Sequence, residues 1–118
     1  MEISIQTSGI QLSRNEMEIF REHVRQRVEE SFARLKRRIT HVAVHLKDDN
    51  GPRGGVDKHC MVKVSLGGAT AALAQGRDSN LFAVVNRVSA CAAHVTLKRL
   101  KRRRNYAKNG KTVSNAEI

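Results

Sequence analysis

The chain has 118 residues and a mass of 13.2 kDa, which is enough for a single domain with one hydrophobic core. Hydrophobic residues make up 40% of it, a share that excludes wholesale disorder, and the formal net charge is +11. No apolar run reaches the length of a membrane span and no charged-then-apolar leader opens the sequence, so we expect a cytoplasmic protein that does not enter a membrane.

The first half of the sequence predicts a strand followed by a helix. In residues 2–6, isoleucines alternate with polar residues, which is the period of a half-buried strand. Ser13 and Glu16 have the spacing of a capping box. Apolar residues then recur at steps of three and four over residues 17–35, so we expect an amphipathic helix that ends near the basic cluster 36–38.

Three further strands are predicted next. Apolar residues alternate with other residues in 40–49 and again in 59–66, which is the strand period. Gly67 and Gly68 have the length and composition of a tight hairpin turn into an Ala-rich run at 69–75. We therefore expect these three strands to pair in antiparallel fashion.

The second helix is predicted from Leu81 to Arg104, with Asp78, Ser79 or Asn80 as its cap. Its apolar stripe ends at Val95, and a basic run begins at Lys98. A helix of this length measures about 36 Å at ~1.5 Å per residue. A strand of seven residues measures only about 23 Å at ~3.3 Å per residue. We therefore expect the helix to extend about two turns beyond the sheet and to present its basic end there.

This order of elements predicts an α+β fold with the order β-α-β-β-β-α. Because both helices are amphipathic, we expect a four-stranded sheet with the two helices packed on one face. Residues 1–106 are predicted to form the single domain, and residues 107–118, which lack periodicity, a disordered C-terminal tail.

The positive charge lies mostly in the second half of the sequence. Residues 1–59 contain 11 Lys and Arg against 9 Asp and Glu, whereas residues 60–118 contain 11 against 2. No acidic residue occurs between Ser79 and Ala116. Such a one-sided charge attracts polyanions, so the candidate partners are RNA, DNA or an anionic membrane surface.

The basic run of the second helix is the candidate nucleic-acid site. It places six cations in the seven positions 98–104, and because consecutive helical residues point in all directions around the axis, it suits insertion among several phosphates. A solvated tail or a localisation signal is the alternative interpretation. The patch extends to the basic end of the first helix, including Arg34, if the helices lie side by side. The predicted nucleic-acid-binding residues are Lys36, Arg37, Arg38, Arg87, Lys98, Arg99, Lys101, Arg102, Arg103, Arg104 and Lys108.

The aromatic residues favour one mode of binding over another. Proteins that bind single strands commonly stack bases on exposed aromatic side chains. Three of the four aromatics here lie in helical patterns expected at or near the core, and Tyr106 is interpreted as a C-terminal anchor. The remaining means of recognition are charge and shape, and these suit a structured RNA or a DNA backbone.

No motif indicates catalysis or a cofactor. The sequence lacks the G-x-S-x-G, P-loop and metalloprotease helix motifs, so we expect a non-enzymatic protein with no cofactor and no small-molecule substrate. His59–Cys60 and the pair Cys91 and His94 could in principle form a zinc site. No CxxC is present and Cys91 borders the apolar stripe, so we expect both cysteines to be buried thiols.

Three segments carry a resemblance to a known family. They are EISIQTSGIQLSRNEMEIFREHV, then ITHVAVHLKDDNG leading to DKHCMVKVSL, and NLFAVVNRV at the start of the second helix. In this order and with a basic helix end, residues 2–104 resemble the short form of the ribosome hibernation-promoting factor family, which includes ribosome-associated inhibitor A and the sigma-54 modulation proteins. Asn80 and Asn86 stand where the family usually has Asp, and the loop 48–57 is longer than in compact members.

The resemblance implies a fold similar to a double-stranded-RNA-binding domain and a specific partner. It implies binding to the rRNA of the small ribosomal subunit between head and body, through the basic ends of both helices at 36–38 and 98–104. We therefore expect a hibernation factor that inhibits translation by blocking the path of tRNA and mRNA. We expect a monomer or weak dimer. Because no second domain follows residue 118, we do not expect ribosome dimerisation through the tail that the long forms of the family carry.

Two other functions remain open. One is a general RNA- or DNA-binding regulatory module of the same fold without ribosome specificity. The other is a protein held on a membrane surface by its basic helix, for which Leu97 and Leu100 alone would be a poor anchor.

Overall fold

A computed structural model describes the backbone of residues 1–48 and 58–109 and the side chains of these residues as far as Arg102. Its elements are the strands β1 (Glu2–Ser8), β2 (His41–Asp48), β3 (Lys58–Leu66) and β4 (Ala69–Asp78), and the helices α1 (Arg14–Ser31) and α2 (Leu81–Asn109). A 3-10 turn, Ala33–Leu35, follows α1. This order, β1-α1-β2-β3-β4-α2, confirms the predicted α+β fold.

The four strands form one mixed sheet in the order β1-β2-β3-β4. β1 pairs with β2 in parallel, whereas the pairs β2–β3 and β3–β4 are antiparallel, as predicted for the three later strands. The β3–β4 hairpin turns at Gly67 and Gly68, whose φ angles of 56° and 92° lie in the region that glycine adopts without steric cost.

Both helices cover the same face of this sheet. The alternation of β2 directs Val42, Val44 and Leu46 to the helical side, where each is buried. The matching positions of β3 are Cys60, Val62, Val64 and Leu66. The side chains that α1 contributes to the same core are Phe20, Val24 and Val28. The predicted two-layer packing is therefore confirmed.

The two helices lie side by side and run in the same direction. Near their N-terminal ends, the rings of Phe20 and Phe82 meet edge to face at 5.2 Å between centroids. Three residues further along α1, the His23 Nε2 lies 3.1 Å from the Asn86 Oδ1. Because contacts advance together along both helices, their C-terminal ends lie at the same end of the molecule.

Side-chain caps stabilise the start of each helix. The Ser13 Oγ accepts a hydrogen bond from the Glu16 N–H at 3.2 Å, and the Glu16 Oε1 accepts one from the Ser13 N–H at 2.9 Å. This is the predicted capping box. Of the three candidate caps of α2, Asn80 has this role, since its Oδ1 accepts from the Ala83 N–H at 3.0 Å.

The two helices end at positions that differ from the sequence prediction. α1 ends at Ser31 rather than near 36–38, because Phe32 takes φ −106° and ψ 16° and buries its ring completely. α2 continues to Asn109 rather than Arg104, so residues 107–109 of the predicted disordered tail are helical. No Gly or Pro interrupts the sequence before Gly110, and Arg, Lys and Ala are good helix formers. The remaining tail, 110–118, and the loop 49–57 lie outside the described residues.

The packed side of α2 also differs from the predicted stripe. Val95, its expected end, is half-buried, whereas Thr96 is fully buried and Leu100 is only 6% exposed. The buried Thr96 hydroxyl donates to the Ala92 carbonyl at 2.8 Å, which satisfies its polar group inside the helix. The contact of α2 with the core therefore extends more than one turn beyond Val95.

The two cysteines differ in burial. Cys60 is fully buried in β3, and this burial raises the pKa of its thiol to about 12. Cys91 is exposed on α2, so its predicted burial is wrong. The reason is that the packed side of α2 passes through Ser89 and Ala92 and leaves Cys91 facing solvent.

Candidate nucleic-acid interface

The C-terminal parts of the two helices form a shared groove of about 380 Å³. One wall consists of the last two residues of α1 and the 3-10 turn that follows it, namely Glu30, Ser31, Ala33, Arg34 and Leu35. The other wall belongs to α2 and consists of Ala93, His94, Leu97 and Lys101. Arg34 and Lys101 thus lie on one surface although 67 positions separate them in the sequence. This is the side-by-side placement on which the predicted extension of the patch depended.

The basic run of α2 is exposed around a buried residue. Lys98, Arg99, Lys101 and Arg102 are all exposed, whereas Leu100 between them packs against the core. Within the described part of the chain, no carboxylate forms an ion pair with any of these four cations. Leu100 therefore fixes the helix to the domain while its neighbours keep their charge available to an external anion.

The cations that follow α1 lie at the same end of the molecule. Lys36, Arg37 and Arg38 are exposed in the turn between Leu35 and β2. The Lys36 Nζ lies 3.2 Å from the Glu29 Oε1, an exposed ion pair of small energetic value. Cations that closely follow the C-terminus of α1 are also favoured by the dipole of that helix.

Arg87, which was predicted to belong to this patch, lies elsewhere. Its Nη1 donates to the Asp78 Oδ2 at 3.2 Å, and its Nη2 donates to the Arg77 carbonyl. It precedes Lys98 by eleven residues, about 17 Å along the helix axis. Arg87 therefore holds the corner between β4 and α2 and is separate from the basic run of α2 and from the cations that follow α1.

The remaining predicted residues are described only in part. Arg103, Arg104 and Lys108 belong to the helical backbone of α2, and their side chains lie outside the described residues. The nucleic-acid contacts of all eleven predicted residues stay predictions.

The sequence interpretation did not identify the α2 wall of the groove. Ala93, Leu97 and Lys101 recur at intervals of four and therefore share one face of the helix. This second stripe is weaker than the core stripe, because only Leu97 is strongly apolar, yet its period was visible in the sequence.

The opposite end of the helical layer has a different character. Ile19 is 66% exposed and Phe82 is 41% exposed, and both lie in a groove with Glu18 and Glu22. Among the described side chains, eight exposed cations lie in the turn after α1 and along the C-terminal half of α2, whereas the arginines within α1 and Arg87 lie elsewhere in the helical layer. We name the exposed residues Arg34, Lys36, Arg37, Arg38, Lys98, Arg99, Lys101 and Arg102 the cationic helix ends.

These features define an α+β domain with a mixed four-stranded sheet, two parallel helices on one face and a cationic end. The chain belongs to the family described as sigma 54 modulation protein / S30EA ribosomal protein, which matches residues 10–105. This membership confirms the resemblance found in the sequence. None of the curated proteins matches the chain.

Solved structures share this fold at low sequence identity. A ribosomal subunit interface protein from Coxiella burnetii superimposes with a TM-score of 0.56 and 16% identity, covering 87% of this chain and 98% of that one. The N-terminal domain of Protein Y from Thermus thermophilus gives a TM-score of 0.54 and 19% identity, and the match covers 83% of this chain and 99% of that domain's chain.

Within the described residues, neither helix is long and apolar enough to cross a membrane.

Proposed function

We propose that this protein is a non-enzymatic, ribosome-associated translation inhibitor of the hibernation type, acting in the cytoplasm. It binds rRNA of the small subunit through the cationic helix ends and excludes tRNA and mRNA by occupying their path. The family membership and the likeness to a protein described as a ribosomal subunit interface protein support the ribosome as partner.

The observation that carries the RNA contact is the exposure of Lys98, Arg99, Lys101 and Arg102 around the buried Leu100. Exposed cations without intramolecular carboxylate partners need not break ion pairs before they contact phosphates. The helix is fixed in place by its packed side, so less ordering entropy is lost on binding than for a flexible tail.

The arrangement of the helix ends suits a folded RNA. The cations after α1 and those of α2 come from two different elements, and a groove lies between them. Such a surface can contact phosphates of more than one RNA strand, which a compact, folded RNA presents and an extended strand does not.

Sedimentation with ribosomes tests this proposal. Purified protein is mixed with 30S subunits and separated on sucrose gradients at 50 and 200 mM salt, with excess tRNA or duplex DNA as competitor. We expect co-sedimentation at low salt, release at high salt and displacement by tRNA. Displacement by duplex DNA with equal efficiency would support the alternative function, a general nucleic-acid-binding module.

A variant pair tests the contribution of the α1 end. Arg37→Ala/Arg38→Ala removes two cations from the cationic helix ends, and Arg14→Ala/Arg25→Ala removes two exposed arginines from other parts of α1. We expect about a tenfold loss of 30S affinity for the first variant at low salt and little change for the second. Equal behaviour of the two variants would mean that net charge, and not this surface, attracts the ribosome.

A further inference from the structure

The face of the sheet opposite α1 and α2, which we name the open face, carries a second set of cationic side chains. Strand alternation directs these residues away from the core, as the pairing of His45 with Met61 and of Lys47 with His59 shows. The cations and histidines on this open face are Lys47, Lys63, Arg77, His41, His45 and His59. Among the described strand residues, Glu2 at the edge is the one acidic group on this side.

A groove of about 280 Å³ crosses this open face where β1, β2 and β3 meet. Its polar and apolar lining comes from Gln6, Ser8, His45, Lys47, His59 and Met61. The two histidines lie on neighbouring strands, diagonally across a register pair, so their Cα atoms are about 7–8 Å apart. The His59 Nε2 lies 3.2 Å from the Gln75 Oε1, which orients that ring.

This combination of groups has the chemistry of a nucleotide-binding surface. Imidazole rings can stack on nucleobases, and the Met61 thioether offers a polarizable apolar contact beside them. Lys63 is exposed on the same face, next to Leu73, which is 52% exposed. A sheet eight to ten residues long and four strands wide is long enough to support several extended nucleotides.

We propose that the open face of the sheet is a binding surface for single-stranded RNA, distinct from the cationic helix ends. A base enters the groove between His45 and His59, and the lysines and Arg77 around it contact the adjoining phosphates. The proposal goes beyond the ribosomal function proposed above and does not depend on it, because it concerns the opposite side of the domain.

The partners of the two histidines across the sheet are neutral or cationic. His45 pairs with Gln6 of β1 and Met61 of β3, and His59 pairs with Lys47 of β2 and Arg77 of β4. Among the described residues, no carboxylate pairs with either histidine in the strand register. The groove between the two rings therefore suits a ligand that combines a base with phosphates.

Two measurements on the whole chain test the surface, both with a fluorescein-labelled decauridylate RNA as the probe. The first is amide NMR mapping, in which we expect the largest shifts at residues 43–47 and 59–63. The second is fluorescence anisotropy, which compares the affinity of the wild type for the probe with that of variants of the open face.

Variants separate the histidines of the open face from other histidines. His45→Gln/His59→Gln should bind the probe about fivefold more weakly than the wild type, because both stacking rings are lost, whereas His23→Gln, in the helical layer, should bind as the wild type does. The proposal is overturned if RNA-induced shifts are confined to residues 93–102, or if the double variant binds the probe as tightly as the wild type. If the double variant unfolds, the shift map of the wild type alone decides.

The two proposals fail in distinguishable ways. Loss of 30S binding in the sucrose gradient together with retained decauridylate shifts on β2 and β3 would refute only the ribosomal function. Retained 30S binding without those shifts would refute only the open-face proposal.

Discussion

Removing three cations from the end of α2 tests the physical basis of the proposed RNA contact. Arg99→Ala, Lys101→Ala and Arg102→Ala together delete exposed groups on either side of the buried Leu100. Because none of the three packs in the core, we expect the free energy of unfolding to change by no more than about 0.5 kcal/mol per site.

The magnitude of the binding effect follows from counterion release. Each phosphate contact adds about −0.7 to −0.9 to the slope of log affinity against log salt concentration. Six contacts from the basic run give a slope of about −4 to −5 for the wild type. The triple variant should lose about 2 to 3 of this slope, so the affinity ratio between 50 and 200 mM salt shrinks by roughly 20- to 40-fold.

Filter binding to 30S subunits over a series of salt concentrations measures both slopes, and thermal unfolding checks the fold. Arg14→Ala/Arg25→Ala controls for net charge, since these arginines are exposed on α1 away from its C-terminal end. An unchanged slope in the triple variant would refute the reasoning. So would a large loss of thermal stability, because the three side chains would then be structural.

Four further substitutions test individual features of the fold. Leu100→Ala should cost about 2 kcal/mol in urea unfolding, since this side chain is 6% exposed, and no loss would mean that α2 leaves the core earlier. Ser13→Ala removes the capping box and should cost about 1 kcal/mol by the same assay, whereas an unchanged midpoint would show that the cap contributes nothing. Gly76→Ala places a Cβ 2.9 Å from the Val88 Cγ2 and should destabilise the protein by about 1–3 kcal/mol, and equal stability would show that α2 can shift. The hydrogen bond from the Asn80 N–H lowers the pKa of Asp78 below its ordinary value of 3.8. The ionised Asp78 carboxylate therefore stabilises the fold above pH 3.8, and this stabilisation is lost as the pH falls further. Asp78→Asn should weaken this acid dependence in a pH series of melting temperatures, and a profile identical to that of the wild type would contradict the prediction.

The sequence predicted those elements whose residues alternate between two different environments. β2 and β3 place Val and Leu on the covered face and His, Met and Lys on the open one, so their period is regular. The capping box of α1 was equally clear, because Ser13 and Glu16 satisfy each other locally. Such signals need no information about distant parts of the chain.

Tertiary packing determined what could not be predicted. Ser89 and Thr96 are fully buried on α2 while Cys91 is exposed, so the packed side follows the fit of small side chains against the sheet and not their hydrophobicity. The early end of α1 depends on burying Phe32, which only the assembled core favours.

In the candidate site too, composition predicted some features, while others depend on tertiary packing. The basic run of α2 was evident from composition, but its proximity to Arg34 depends on the parallel arrangement of the helices. Sequence alone could not separate Arg87 from the other cations, because its partner Asp78 lies across a turn and acts only in the folded chain. The histidines of the open face share a surface through strand register, which single-sequence patterns do not specify.

The length of α2 has a mechanical consequence. This continuous helix of 29 residues is about 44 Å long and meets the sheet at the corner where Arg87 and Val88 lie against Gly76. A tilt of only 5° about this pivot would move the helix end at Asn109, which lies about 32 Å away, by roughly 3 Å, about the length of a hydrogen bond. The position of the basic run of α2 therefore depends on close packing at a corner that lies about 17 Å from Lys98 along the helix.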